Sequence, residues 1–260
     1  MSRKRGMRFV AILDLVAERR VLSMHELVSA LGVSPASVRR DLVELERRRL
    51  IARTHGHVRA LDEPEIPPAL RRTRGEVFKR RIARAVADRL PDERCAVALS
   101  GGTTTAAVAA ELIGRQRLTL VTNSLTIAEL VHSQPSARIV LTGGALRPQS
   151  LEMVGPIAEH TFSGFNVGWA ILGADGVDAE AGVTTHDDTE ARTNRAMMTS
   201  AQRTIVVADG SKIGMVTLAQ MVPIGDVDLL VTDTSADTSH LDRIRAAGIE
   251  VVVVSDEVII

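Results

Sequence analysis

Aromatic residues are nearly missing from this chain, which has four phenylalanines, one tryptophan and no tyrosine in 260 residues. Readers of single strands and RNA stack bases on aromatic platforms, so the scarcity argues against that class. Cysteine occurs once, at Cys95, which excludes an internal disulfide framework and a multi-thiolate metal site. It lies in the apolar run Cys95-Ala96-Val97-Ala98-Leu99 and reads as a buried, unreactive thiol. No apolar stretch reaches the ~20 residues that span a bilayer. The basic residues at 1–8 are followed by no signal-peptide core, so a cytoplasmic protein without a membrane partner is expected. Lysine is scarce as well, with Lys4, Lys79 and Lys212 set against 29 arginines. No Gly-x-Gly-x-x-Gly occurs, and Asn123-Ser124 stands where a ribose-binding acid would end the second strand. Both features disfavour dinucleotide binding.

What is present is a split of charge. The formal net charge is zero, yet residues 1–90 hold 21 basic against 11 acidic side chains, and residues 91–260 reverse that balance, 11 against 21. A basic head on an acidic body is the electrostatic layout of a ligand-controlled DNA-binding protein. An Arg-rich surface without a partner would show the same totals, so the residues must decide.

In the head, Phe9, Ile12, Leu13 and Val16 have helical spacing within residues 8–18. Ser23-Met24-His25-Glu26 reads as a capping box that opens a second helix through Leu27, Val28 and Leu31. Gly32 supplies the turn, and Ser34-Pro35 restarts a helix as N-cap and first helical residue. Val38, Leu42 and Leu45 form its buried stripe, which predicts that Ser37, Arg40, Asp41 and Glu44 face outward with Arg39 beside them. This is a helix-turn-helix, and the N-terminal residues of its second helix are the ones a major groove would meet. Ser37 suits a phosphate or a base edge, and Arg39 and Arg40 suit guanine or phosphate. The run Ile51-Ala52-Arg53-Thr54-His55-Gly56-His57-Val58-Arg59 reads as short strands around a glycine turn, a wing with basic flanks. Ser34, Ser37, Arg39, Arg40, Arg53, His55 and Gly56 are the candidate DNA contacts. His55 and His57 lack a further ligand cluster, so no metal is expected there.

Residues 61–68 carry three prolines and three acids and read as a stiff, non-helical connector. The expected division is a winged head at 1–60, a linker at 61–74 and an α/β domain at 75–260. Residues 74–90 read as an amphipathic helix with Val77, Ile82, Val86 and Leu90 on or near one face, and with Lys79, Arg80, Arg81 and Arg84 solvated. Apolar runs at 95–99, 118–122, 138–142, 167–173, 203–208, 228–232 and 249–254 are mostly separated by helix-length segments. They predict a doubly wound, mostly parallel sheet.

Ligands of such sheets bind beyond the carboxyl ends of the strands. Here those ends are small and polar. Strand 95–99 runs into Ser100-Gly101-Gly102-Thr103-Thr104-Thr105 before a helix, which fits a phosphate cradle or a plain glycine turn with threonine caps. The other ends carry Asn123-Ser124, Gly143-Gly144, Gly173-Ala174-Asp175-Gly176 and Asp209-Gly210-Ser211-Lys212. Lys212 is the only lysine after residue 90, well placed for a phosphate or carbonyl. His186-Asp187-Asp188-Thr189-Glu190 reads as the acidic cap of a helix over 189–201 rather than as a metal cluster.

Taken in order, these pieces resemble the DeoR family of bacterial sugar-responsive repressors over almost the whole chain. The head carries Val33-Ser34, Val38-Arg39-Arg40-Asp41-Leu42, Leu45 and Arg53-Thr54-His55-Gly56. The body carries Gly102-Thr103-Thr104, Thr122-Asn123-Ser124, Gly143-Gly144, Gly155-Pro156, Gly173-Ala174-Asp175-Gly176, Glu190 with Asn194-Arg195-Ala196-Met197, and Asp209-Gly210-Ser211-Lys212. The resemblance implies a winged-helix repressor whose C-terminal domain is similar to phosphosugar isomerases and deaminases. It also implies a double-stranded DNA operator, a phosphorylated sugar effector and a homodimer or higher homo-oligomer. The effector contacts are then Ser100, Gly101, Gly102, Thr103, Thr104, Thr105, Asn123, Ser124, Gly143, Gly144, Asp175, Glu190 and Lys212. No cofactor and no catalytic residue are expected. Two positions depart from the family pattern, Ser100 where an Asp is frequent and His57 where a second wing glycine is frequent. The alternative is a phosphosugar isomerase or deaminase that carries a DNA-binding head. The related isomerases place a further Asp three residues before the one matching Asp175, and Leu172 stands there.

Overall fold

A computed structural model describes residues 3–54, 56–61, 66–72, 74–92, 95–115, 117–132, 134 and 138–255. The chain divides into two compact units, Met1–Arg74 and Gly75–Ile260.

In the first unit, Phe9, Ile12, Leu13 and Val16 bury one face of α1 (Arg3–Arg19). The strand β1 (Val21–Ser23) follows, then α2 (Met24–Leu31) and α3 (Pro35–Arg47). The capping box is present: Ser23 Oγ accepts from the Glu26 amide at 3.2 Å, and Glu26 Oε2 accepts from the Ser23 amide at 2.8 Å. Ser34 caps α3, with Pro35 in its first turn. Val38, Leu42 and Leu45 are fully buried. The wing is the antiparallel pair β2 (Ile51–Thr54) and β3 (His57–Ala60), and β1 joins β3 to complete a three-stranded sheet. The short α4 (Pro68–Arg71) lies within the expected linker. Its Leu70 is fully buried in the cluster that holds Phe9, Ile12 and Leu42. Leu70 and Ile66 thus pack with the head, because the apolar side chain at position 70 draws α4 onto α1. Residues 62–65 lie outside the described residues.

The second unit opens with α5 (Glu76–Ala87), β4 (Cys95–Leu99), α6 (Thr103–Leu112), β5 (Leu118–Thr122), α7 (Leu125–Val131) and β6 (Arg138–Leu141). A hairpin of β7 (Ala145–Arg147) and β8 (Glu152–Val154) follows, then α8 (Pro156–Ser163) and β9 (Val167–Gly173). The chain continues through β10 (Gly176–Asp178), β11 (Gly182–Thr185), α9 (Asp188–Thr199), β12 (Ala201–Val207) and β13 (Ala219–Val222). It closes with β14 (Leu229–Asp233), α10 (Thr238–Ala246) and β15 (Glu250–Val254). Seven strands form one parallel sheet in the order β15-β14-β12-β9-β4-β5-β6. These are the seven expected apolar runs. The inner strands β4, β9 and β14 are near-continuous apolar stretches because both faces are covered. Ala98, Leu172 and Val206 pack with α8, α9 and α10, whereas Val97, Leu99, Ile171 and Ile205 pack with α5, α6 and α7. A small antiparallel sheet, β10-β11-β13, stands apart. The strand order reverses between β4 and β9, which makes their carboxyl ends the switch-point crevice.

Two expectations for the first helix of this unit are corrected. Val77 is 49% exposed, while Lys79 is 5% exposed and lies on the buried face with Ile82, Ala83 and Val86. The stripe starts one turn later than the apolar pattern suggested, and a lysine stem can lie along an apolar surface. Cys95 is half-buried, and burial pushes its thiol above the ordinary range, opposed by Arg115.

Leu70→Ala is expected to leave a cavity in the head and cost ~2–5 kcal/mol. Calorimetry should show the first unit melting earlier and the second unchanged. An unshifted first transition would remove α4 from the head's core.

Candidate functional site

Two sets of residues carry chemistry, one in each unit. In the head, Arg39 and Arg40 are exposed on α3 and have no ion pair among the described residues. Other arginines there are committed: Arg47 and Arg48 bind Glu44 at 2.8 and 2.7 Å, and Arg53 binds Glu46 at 3.3 Å. The two hydrogen-bonded guanidinium groups hold the Glu44 carboxyl down at about 2. Ser34 and Ser37 hydroxyls lie 3.0 Å apart at the start of α3, with Ser37 half-buried. Gly56 turns the wing with φ 77°, and its carbonyl accepts from the Met24 amide at 3.3 Å. His55 lies outside the described residues. Asp41 was expected to face outward and does not. It is 1% exposed, with its carboxylate taking Nε of Arg5 at 2.9 Å and Nε of Arg8. Ion pairing to α1, not an apolar stripe, buries it.

In the second unit the site builds from the switch point outward. Ser100 Oγ accepts from the Gly173 amide at 3.0 Å, which ties the ends of β4 and β9 together. The Gly101 amide donates to Glu152 Oε1 at 2.6 Å. A Cβ at Gly101 would sit 2.3 Å from Glu152 Cδ, so only glycine admits that contact. The helix α6 then starts at Thr103 with no side-chain cap, leaving its N-terminus to other acceptors. Thr103 is half-buried, Thr104 is buried, and Thr105 donates to the Gly102 carbonyl at 3.1 Å.

Asn123 and Ser124 hold the strand that carries Glu152. Asn123 exchanges bonds with Met153, giving from Nδ2 at 3.1 Å and taking at its carbonyl at 2.7 Å, while Ser124 caps α7 and bridges to Glu152. Asn123 Oδ1 is buried without a hydrogen-bond partner. Gly143 and Gly144 link β6 to β7, where a Cβ on Gly144 would come 2.8 Å from the Val154 carbonyl. They fit a backbone close approach.

The polar centre is a chain of side chains. Thr185 Oγ1 lies 3.1 Å from Asp175 Oδ2 and 2.9 Å from Glu190 Oε1. Lys212 Nζ is 3.9 Å from Asp175 Oδ1 and 29% exposed. Arg147 reaches Glu190 Oε2 and Asp187 Oδ2, each at 3.3 Å. Asp187 also caps α9, as the acidic segment predicted. Burial pushes the Glu190 carboxyl well above the usual 4.5, the negative charges of Glu152 and Asp175 push it further, and Arg147 opposes them. The geometry agrees with that direction. One threonine proton cannot serve two carboxylates. A protonated Glu190 can donate to Thr185, which then donates to Asp175.

Sequence reasoning singled out Asp175, Glu190 and Lys212 and missed Arg147, Glu152 and Thr185. Among the described residues, no group of three His, Cys, Asp or Glu side chains could hold a metal ion, and no helix is long and apolar enough to cross a membrane.

A winged helix-turn-helix carried with a doubly wound α/β domain, its switch point lined by donors and carboxylates, defines a class: transcription regulators with a sensor domain. Residues 8–63 match the DeoR-like helix-turn-helix domain, and residues 76–234 match the DeoR C terminal sensor domain. The chain belongs to the DeoR family. It is 34% identical to the glycerol-3-phosphate regulon repressor of Escherichia coli, covering 91% of this chain and 94% of the relative. It is 35% identical to the HTH-type transcriptional regulator GlpR of Haloferax volcanii, covering 93% and 94%. It is 34% identical to the transcriptional repressor AccR of Agrobacterium fabrum, covering 87% and 89%. Ribose 5-phosphate isomerase A from Neisseria gonorrhoeae overlays on 52% of each chain with 17% identity and a TM-score of 0.37, a likeness too partial to carry an assignment.

Glu190 gives a prediction with a definite sign. Unfolded, it ionises near 4.5, whereas folded it keeps its proton to well above that value. The folded state therefore binds the extra proton across that window, and stability falls as pH rises through it. Glu190→Gln is expected to flatten this decline and to raise Tm at neutral pH relative to the native chain. A variant with the native slope, melting lower at neutral pH, would contradict a raised carboxyl.

Proposed function

We propose that this chain is a DNA-binding repressor of sugar-metabolism genes, controlled by a phosphorylated sugar at the switch point of its second unit. The observation that carries the reading is the convergence, beyond β4 and β9, of an uncapped helix start, a lone lysine and a set of carboxylates. The amides and hydroxyls of 101–105, together with Lys212, suit a phosphate: the helix start offers directional donors and the ammonium offers charge. Asp175 and Glu190 suit sugar hydroxyls, and Asn123 Oδ1 offers a further buried acceptor. The name of the Escherichia coli relative, a glycerol-3-phosphate regulon repressor, supports a small organic phosphate as effector.

In this reading, residues 1–74 bind double-stranded DNA and residues 75–260 sense the effector, in a homodimer or higher homo-oligomer that imposes a repeated half-site on its operator. Sensing is favoured over turnover, because Leu172 stands where the related isomerases carry their additional Asp and cannot move a proton, which leaves Asp175 and Glu190 as candidate bases for a turnover test. A regulator of this kind works where the chromosome is, in the cytoplasm. Incubation with pentose and hexosamine phosphates tests the choice, since turnover above the uncatalysed rate would make the site catalytic.

Two variants test the two halves. Arg39→Ala is expected to cost ~1–3 kcal/mol of operator affinity and to relax specificity at one base position. Selection from a random duplex library reads both effects, and a native preference would exclude Arg39 from base recognition. A thermal-shift screen against sugar phosphates identifies the effector, because a ligand of the native state raises Tm. Lys212→Ala should then lose the effector's influence on DNA binding while keeping native DNA affinity. A native response in that variant would move the sensor site elsewhere.

A further inference from the structure

The burial of Asp41 has a consequence for the surface around it. Lys4, Arg5 and Arg8 of α1 and Ser37, Arg40 and Asp41 of α3 line a cleft of about 260 Å³. Four cations face one carboxylate there, leaving an excess of positive charge in a concave site. Arg5 and Arg8 both meet Asp41 through Nε, so their terminal amino groups can donate to a second acceptor. The Arg5 guanidinium also lies 5.2 Å from the centre of the Phe9 ring, and Phe9 is itself fully buried. Arg5 is thereby fixed from two sides. Ser37, Arg40 and Asp41 share one face of α3 by their spacing of three and four. Arg39 does not line the cleft.

We infer that this cleft binds a backbone phosphate of duplex DNA, with Arg5, Arg8, Arg40, Lys4 and Ser37 as donors and Asp41 as the positioning residue that holds the α1 arginines beside the recognition helix. The inference rests on the DNA-binding reading of the head. A tetrahedral anion with several acceptor oxygens can take forked donors from more than one guanidinium at once. The occupant is a phosphodiester because two of the lining residues belong to the exposed face of the helix that would enter the groove, where the backbone passes close by. The two neighbouring arginines of α3 thus divide their labour: Arg40 neutralises phosphate and sets register, and Arg39 is left for base edges.

The experiment is a salt titration of duplex binding by the full chain, with a random-sequence duplex and a library-selected one. Arg5→Gln and Arg40→Gln should each weaken both duplexes by the same factor and lower the slope of log affinity against log salt by about one. Arg39→Gln should instead reduce the preference for the selected duplex. Asp41→Asn separates positioning from charge. Removing a negative charge beside DNA should tighten binding if charge alone matters, whereas loss of the anchor weakens it. Arg40→Gln, a change at an exposed residue with no ion pair among the described residues, carries the test if Asp41→Asn fails to fold. Native slopes and affinities in both arginine variants would overturn the cleft while leaving DNA binding by the head intact. No salt-dependent duplex binding by the native chain would overturn that reading and the cleft together. If inorganic phosphate raises Tm through Arg40 while the DNA slope of Arg40→Gln stays native, the cleft holds a free anion and the inference falls.

Discussion

Negative charge crowded against the end of a parallel sheet is the constraint on which the second unit depends. Glu152, Asp175 and Glu190 approach one another where β4 and β9 end, with Arg147 and Lys212 as the facing cations. Full ionisation of all three acids would leave Thr185 with one proton for two carboxylates. Retention of a proton on Glu190 relieves both the repulsion and the hydrogen-bond shortage. The same crowding explains local choices in the chain. Gly101 has no side chain because Glu152 takes that space, and Asp187 serves at once as helix cap and as partner of Arg147. In the proposed reading, a phosphate entering such a corner would take its donors from the start of α6 and from Lys212.

The head solves the opposite problem. Its excess charge is positive, and the question there is how arginines are held apart from one another. Glu44 holds Arg47 and Arg48, Glu46 holds Arg53, and Asp41 holds Arg5 and Arg8. Each acid on α3 thereby decides which basic groups are fixed. Arg39 and Arg40 lie outside these pairs among the described residues, and they stand on the face that a major groove would meet.

Much of this was legible in the sequence because the signals are local. Caps at Ser23 and Ser34, the turn at Gly32 and the stripe Val38, Leu42, Leu45 each need only a few neighbouring residues. The inner parallel strands were legible because burial on both faces writes a continuous apolar run. What escaped reading depends on residues distant in the chain. Asp41 looks solvated by helical periodicity alone, since its partners lie 36 and 33 positions away on α1. Arg147 and Glu152 sit on strands of three residues, too short to show alternation. Thr185 ends a strand of the small sheet β10-β11-β13, whose strands of three and four residues offer equally little pattern. Leu70 followed a proline-rich stretch and read as linker, because one apolar residue carries no period.

The central claim is that occupancy of the second unit and DNA binding by the first are coupled. Linkage makes that coupling reciprocal, and typical values are ~1–3 kcal/mol. The direct measurement is a calorimetric titration of the effector sugar phosphate into the protein, alone and bound to its duplex. The account predicts affinities that differ about 5- to 150-fold between the two states. Equal affinities in both would contradict it, because a ligand that does not distinguish the states cannot shift them.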